Sequence, residues 1–273
     1  MKQPSFWHSS LRIADLSLGQ MLWSKRTFFM VLVVGMPMVI AVGLVLFDTF
    51  APAEARPRVM ENGPVIFGFM IWVLYLRFAV PVLAVFYATA LIADEVEDKT
   101  ITYLFSRPVP RSAVLAGKYL AYLGCTLAVV LPSIVVVYFL VAPRGTGSLG
   151  AGFPHLLKDL GLVAAGLAVY GALFAWMGAR LKRPLIVGLV FLFGWEPTVL
   201  AIPGYLKQLT VAYYLQALVP HAMPQDTTMS MLQSFFREGP STMASLFWLL
   251  VIAVIALWLA ARTVSHREYV LEQ

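Results

Sequence analysis

The sequence has little charge and almost no cysteine. Only 12% of its 273 residues are Asp, Glu, Lys or Arg, against about a quarter in ordinary soluble domains. The one cysteine, Cys125, lies within an apolar run, so the chain can build neither a disulfide framework nor a cysteine-ligated metal site. No basic run and no array of basic and aromatic residues occurs, which excludes a nucleic-acid-binding surface.

A phosphate-binding loop is also missing. The Gly117-Lys118 pair has Ser112 five residues before it and Tyr119 after it, where such a loop needs Gly and then Ser or Thr. Neither a His-Glu-x-x-His metal signature nor a pair of intramembrane aspartates is present, and all four histidines lie outside the apolar runs: His8, His155, His221 and His266. We therefore expect no cofactor, metal site or catalytic residue in this chain, and intramembrane enzymes are disfavoured.

Long apolar runs dominate what is present. Hydrophobic residues make up 60% of the chain, its mean hydropathy is +0.81, and about 20 helical residues cross a bilayer. The sequence predicts an all-α, polytopic membrane protein with one transmembrane domain over residues 1–273. Its six predicted spans are 27–47, 65–93, 119–142, 156–179, 185–202 and 243–261.

Two further segments have helical patterns without being long apolar runs. In residues 9–24 the apolar residues Leu11, Ala14, Leu18, Met21 and Leu22 recur at helical spacing, which favours a helix lying in the membrane interface over an ordinary cytosolic tail. The N-terminus lacks the pattern of a cleaved signal peptide, so we expect the first span to be retained. Residues 203–242 are less apolar than the spans but periodic, which indicates an outer amphipathic or re-entrant segment.

A charged connector, residues 94–118, separates the second span from the third. Of the twenty Lys and Arg residues, thirteen lie on the side of the two termini and connector, six lie on the other side, and Arg77 lies within a span. This asymmetry places both termini and the connector in the cytoplasm. We expect the connector to begin as a helix in which Glu95 pairs with Lys99, to turn at Pro108 and Pro110, and to start a new helix capped by Ser112.

The connector sequence resembles a known family. Residues Glu95, Thr100, Ile101, Leu104, Ser106, Arg107, Pro108, Val109, Arg111 and Lys118 match the segment that follows the second span in membrane subunits of type-two ATP-binding-cassette transporters. Lys99 departs from the glycine that is frequent in that family. The resemblance extends more loosely to the whole chain, through the predicted N-terminal helix, six spans and outer segment.

The resemblance implies the permease subunit of an ATP-driven exporter of hydrophobic or amphipathic cargo in a bacterial inner membrane. It implies a second permease copy and two copies of a separate cytoplasmic ATPase, which would bind the ATP and Mg. The connector would then act as a coupling helix. The residues expected to dock the ATPase are Glu95, Thr100, Tyr103, Leu104, Phe105, Arg107, Pro108 and Arg111; the alternative is that their charges only form a solvated loop.

Two charged residues lie within the predicted spans. Arg77 either extends to the membrane interface or lines a translocation pathway, and Glu196 is its candidate partner in both cases. Because few intramembrane carboxylates are available for coupling ions, a secondary transporter is the weaker alternative. A non-transporting sensor or regulatory subunit is also compatible with the sequence.

Overall fold

The computed structural model describes residues 6–50, 62–97, 110–144, 149–202, 204–219 and 240–266. Six of its helices are long and apolar enough to cross a bilayer. The predicted all-α, polytopic membrane architecture with six spans is therefore confirmed. In chain order, the first to sixth spans are Arg26–Phe50, Gly63–Glu95, Arg111–Val141, Gly152–Arg180, Pro184–Ala201 and Thr242–His266.

Helices extend beyond the predicted span ends where the sequence becomes charged. The third span begins at Arg111 rather than at residue 119, and the second continues into the helix Ala90–Glu97. Hydropathy detects the part of a helix that hydrocarbon surrounds, whereas backbone hydrogen bonding continues into water. The charged ends of the connector are thus helical extensions of the spans that flank them.

An N-terminal helix, Phe6–Leu22, packs along the third span. Its buried residues are Ser9, Ser10 and Ser17, whereas Leu11 and Leu22 are exposed. Serines therefore supply the buried positions of this helix, because small side chains let two helices approach closely, and Leu18 packs near Gly124 of the third span. The exposed leucines remain available to a membrane interface, and the interfacial placement of this helix stays a prediction.

The closest approach of these two helices is at Gly117. A Cβ atom at this position would lie 2.6 Å from the backbone oxygen of Ser10 and 2.8 Å from the Cβ of Ile13. The N-terminal helix then ends at Leu22, and the Thr27 hydroxyl donates a hydrogen bond to the backbone oxygen of Met21. These contacts fix the helix against the start of the first and third spans.

Polar contacts tie the second, third and fourth spans together. The hydroxyl groups of Tyr75 and Ser133 are 3.0 Å apart. The hydroxyls of Tyr119 and Tyr122 donate to backbone oxygens of the fourth span, at 2.7 Å and 2.9 Å respectively. Gly171 lies against the Tyr122 ring and leaves no room for a side chain. At the end opposite the connector, Arg144 forms an ion pair with Asp48 of the first span.

The second and fifth spans each contain a π-helical segment close to a proline. Ile71–Ala79 precedes Pro81, and Phe191–Trp195 precedes Pro197. Because proline has no N–H, the backbone oxygens of residues 77 and 193 lose their usual donors four residues later, which favours a widened turn. Arg77 therefore lies in one widened segment, and Glu196 directly follows the other.

The segment before the sixth span is irregular over the residues that the structure describes. A 3-10 helix, Tyr205–Leu209, is followed by extended backbone at Thr210 and by a short helix, Val211–Ala217. The short helix contacts the fourth and sixth spans and the π-helical part of the second, through the buried residues Val211, Tyr214 and Leu215. Residues 220–239 of the predicted outer segment lie outside the described residues.

The close contact at Gly117 yields a stability prediction. We expect Gly117→Ala to lower the free energy of unfolding in detergent by about 1–3 kcal/mol, because the new methyl group meets a backbone atom that cannot rotate away. Gly35→Ala in the first span is the matched control, since a Cβ there has nothing within 4 Å, and we expect it to be neutral or slightly stabilising. Equal melting temperatures for the two variants would contradict the close packing.

Candidate functional site

The structure describes both ends of the predicted connector, residues 94–97 and 110–118. Six of the eight predicted docking residues fall between them, outside the described residues: Thr100, Tyr103, Leu104, Phe105, Arg107 and Pro108. Glu95 and Arg111 are described. The described part of the site therefore consists of the two helical ends that hold the connector in place.

Glu95 forms an ion pair with Lys118, which joins the end of the second span to the start of the third. The two side chains are 25% and 12% exposed, respectively, so the pair is shielded from much of the screening that weakens surface ion pairs. The prediction paired Glu95 with Lys99, which lies outside the described residues. A contact between residues 23 positions apart was not apparent from local helical spacing.

The neighbouring carboxylate, Asp94, is bound from the other side. One guanidinium nitrogen of Arg26 lies 2.8 Å from its Oδ1 and 2.7 Å from its Oδ2. Arg26 begins the first span, so the adjacent acidic residues Asp94 and Glu95 hold cations from two different spans. This arrangement clamps the first and third spans to the end of the second.

Arg111 lies at the opposite end of the connector, where the third span begins. Pro110 has extended backbone, with φ −58° and ψ 131°, and no side chain caps the helix. The prediction that Ser112 caps it is wrong, because the helix begins at Arg111 with Pro110 at the capping position, and Ser112 lies in its first turn. Arg111 is exposed, and a cation at a helix N-terminus is disfavoured by the helix dipole. The helix dipole therefore does not favour an arginine at position 111.

A second polar site lies toward the other end of the second span. A cavity of about 280 Å³ lies between the second, fourth and fifth spans and the short helix Val211–Ala217. Its wall is mainly apolar, but it includes both charged residues that the sequence places within spans. The lining residues are Trp72, Val73, Leu76, Arg77, Phe78, Pro81, Tyr170, Leu192, Phe193, Glu196, Pro197, Leu200, Ala212, Leu215 and Gln216.

Glu196 is the most deeply buried charged group of this cavity, with 4% of its surface exposed. The hydroxyl of Tyr170 donates a hydrogen bond to its Oε2 at 2.6 Å. Arg77 interacts electrostatically with the carboxylate, but its side chain is exposed, and none of the ion pairs found among the described residues joins the two. Arg77 and Glu196 thus share a site, while Tyr170 is the direct partner of the carboxylate.

Tyr170 was not predicted as a site residue. It lies between Gly166 and Gly171 in an apolar span, where a tyrosine is usually a packing residue, and no local pattern connects it to Glu196. Within the described residues, no group of three or more His, Cys, Asp or Glu side chains has the arrangement of a metal site. The chemistry available here is hydrogen bonding and charge pairing.

Comparison with known proteins gives one family. The model of a family described as ABC-2 family transporter protein matches residues 27–269, which include the whole connector and all six spans except Arg26, the first residue of the first span. No curated protein matches the chain.

Disruption of the two ion pairs at the connector should lower the free energy of unfolding by different amounts. Lys118→Glu places a second carboxylate beside Glu95 in a partly buried site, and we expect a loss of about 1–3 kcal/mol in unfolding free energy. Arg26→Glu disrupts a pair whose side chains are 42% and 40% exposed, and we expect a loss of at most about 1 kcal/mol.

The exchange Glu95→Lys with Lys118→Glu tests the pairing directly. It restores opposite charges, so it should recover most of the melting temperature that Lys118→Glu loses. If the exchange unfolds at the same temperature as Lys118→Glu alone, the pair does not stabilise the fold.

Proposed function

Because this chain belongs to the ABC-2 family of transporter membrane proteins, we propose that it is the permease subunit of an ATP-driven exporter, coupled to a separate ATP-binding subunit through residues 94–118. Members of this family generally pair with an ATP-binding-cassette subunit. The absence of a phosphate-binding loop from this sequence is consistent with that division of labour. ATP and Mg would then bind to the partner chain.

The observation that supports coupling through the connector is its double attachment. Asp94 and Glu95 bind Arg26 and Lys118, so the end of the second span is tied to the starts of two others. A force applied to the connector would reach the first, second and third spans together. A loop that served only as a solvated link would not need to join three spans.

The same contacts suggest how the predicted docking residues divide their roles. Glu95 holds the connector to the third span, so we assign it to positioning rather than to direct contact with the ATPase. Arg107 and Arg111 supply charge for the partner, and the apolar surface comes from Tyr103, Leu104 and Phe105. Thr100 and Pro108 remain expected docking residues. This is the groove-docking mode by which helical segments commonly bind their partners.

The remaining parts of the proposal follow the family and the charge distribution. The complex would contain two copies of this permease, or one copy and a related chain, with two ATPase subunits. The excess of Lys and Arg on the connector side favours a cytoplasmic connector and cytoplasmic termini in a bacterial inner membrane. Mainly apolar surfaces between the spans favour hydrophobic or amphipathic cargo.

Charge reversal at Arg111 tests the docking role. We expect Arg111→Glu to weaken the permease–ATPase complex at least about tenfold, which corresponds to about 1.4 kcal/mol, and to reduce cargo-stimulated ATP hydrolysis in proteoliposomes. Arg183→Glu is the matched control, because Arg183 is an exposed arginine at the start of another span on the connector side. The melting temperature of the permease alone, measured for both variants, separates a loss of docking from a loss of folding.

Two results would contradict the proposal. If Arg111→Glu and Arg183→Glu bind the ATPase equally well, Arg111 does not dock the partner. If the wild-type chain purified in mild detergent from its native membrane carries no ATP-binding subunit, the assignment to an ATP-driven exporter fails, and a secondary transporter or a non-transporting sensor becomes the better assignment.

A further inference from the structure

The cavity between the second, fourth and fifth spans contains hydrogen-bond acceptors without donors. Oε1 of Glu196 and Oε1 of Gln216 are both buried, and neither has a hydrogen-bond partner among the residues that the structure describes. Both residues line the cavity. An unpaired buried acceptor costs about 1–3 kcal/mol, and more when it is charged. The site is therefore suited to a ligand that donates hydrogen bonds.

Glu196 is held in place for such a role. The Tyr170 hydroxyl, on the fourth span, donates a hydrogen bond to Oε2 at 2.6 Å, which orients the carboxylate. The backbone N–H groups of Val211 and Ala212 also approach the carboxylate, yet Oε1 has no hydrogen-bond partner within the described part of the chain. The widened turn before Pro197 places Glu196 on the cavity wall at the end of the π-helical segment.

The rest of the wall limits the chemistry and size of the ligand. Among the residues lining the cavity, Arg77 and Glu196 are the charged ones. The Arg77 side chain is exposed and so keeps contact with solvent, whereas Glu196 is buried. A volume of about 280 Å³ has room for a small organic group such as a single ring with a short side chain.

From these observations we infer that the cavity binds a primary amine with an apolar body, with the ammonium donating to Oε1 of Glu196 and Oε1 of Gln216. An ammonium carries three donors and a charge opposite to that of the carboxylate. The apolar body would lie against Leu76, Leu192 and Leu215. Binding at this site requires only this chain and not the proposed ATPase; under the proposed function, it identifies amine-bearing amphiphiles as the cargo class.

Three small probes of matched size distinguish the effect of the ligand's charge from the effect of its shape. Phenethylamine, 2-phenylethanol and phenylacetate share one ring and differ in the polar end. With the full chain in phosphatidylcholine nanodiscs, titration by ligand-observed NMR should give affinities in the order amine, alcohol, carboxylate, with at least about a tenfold difference between the first and the last. Equal affinities for the three probes would overturn the inference.

Variants locate the site. Glu196→Gln should weaken phenethylamine binding at least about tenfold and change 2-phenylethanol binding little. Thr198→Ala, at an exposed position two residues further along, is the matched control and should bind all three probes as the wild type does. If Glu196→Gln keeps the preference for the amine, Glu196 is not its partner.

A second variant keeps the test valid if Glu196→Gln fails to fold. Ala212→Phe leaves the carboxylate intact and fills part of the cavity. It should therefore weaken the binding of all three probes. Unchanged binding of the probes to a folded Ala212→Phe variant would place them elsewhere and would overturn the inference.

Nanodiscs that contain phosphatidylethanolamine distinguish a membrane lipid from soluble cargo. If the ethanolamine headgroup occupies the site, phenethylamine should bind at least about fivefold more weakly there than in phosphatidylcholine. If its affinity is the same in both lipids, the site takes soluble amines. Either result supports an amine site and assigns its source, and neither depends on the presence of an ATPase.

Discussion

Polar groups between the ends of the six spans must find partners within the protein, because hydrocarbon offers none. The tyrosines illustrate this constraint. Tyr119 and Tyr122 donate to backbone oxygens of the fourth span, and Tyr75 contacts Ser133 of the third. These bonds join the second, third and fourth spans, whose close packing also depends on a glycine at position 171. The polar residues of the apolar core thus determine which helices become neighbours.

At the connector, full charges are also paired within the protein, although their side chains are partly exposed. Asp94 and Glu95 follow an apolar helix, and each is matched by a cation from a different span. A buried pair is weak evidence for stability, since desolvation opposes the attraction. The geometric consequence is stronger: the carboxylates fix where the first and third spans begin relative to the end of the second. Under the proposed function, this fixed point is where the ATPase would act.

Sequence patterns predicted the six spans because long apolar runs have few alternatives in a bilayer. They did not predict which face of the N-terminal helix meets the protein, because Ser10 against Gly117 is a packing contact between residues far apart in sequence. The Glu95–Lys118 and Tyr170–Glu196 contacts were missed for the same reason. The π-helical segments had a local signal in Pro81 and Pro197, but a proline alone does not distinguish a widened turn from a kink.

The second span connects the two polar sites. Arg77 and Glu95 are 18 positions apart along the second span, which corresponds to about 27 Å at 1.5 Å per residue. At one end, Asp94 and Glu95 form ion pairs with the first and third spans. The other end forms one wall of the cavity that contains Glu196. A rigid-body movement of this helix would shift both sites at once, and the widened turn at residues 71–79 is where its backbone hydrogen bonding departs from the α-helical pattern. Coupling between connector and cavity would therefore require no further element than this span.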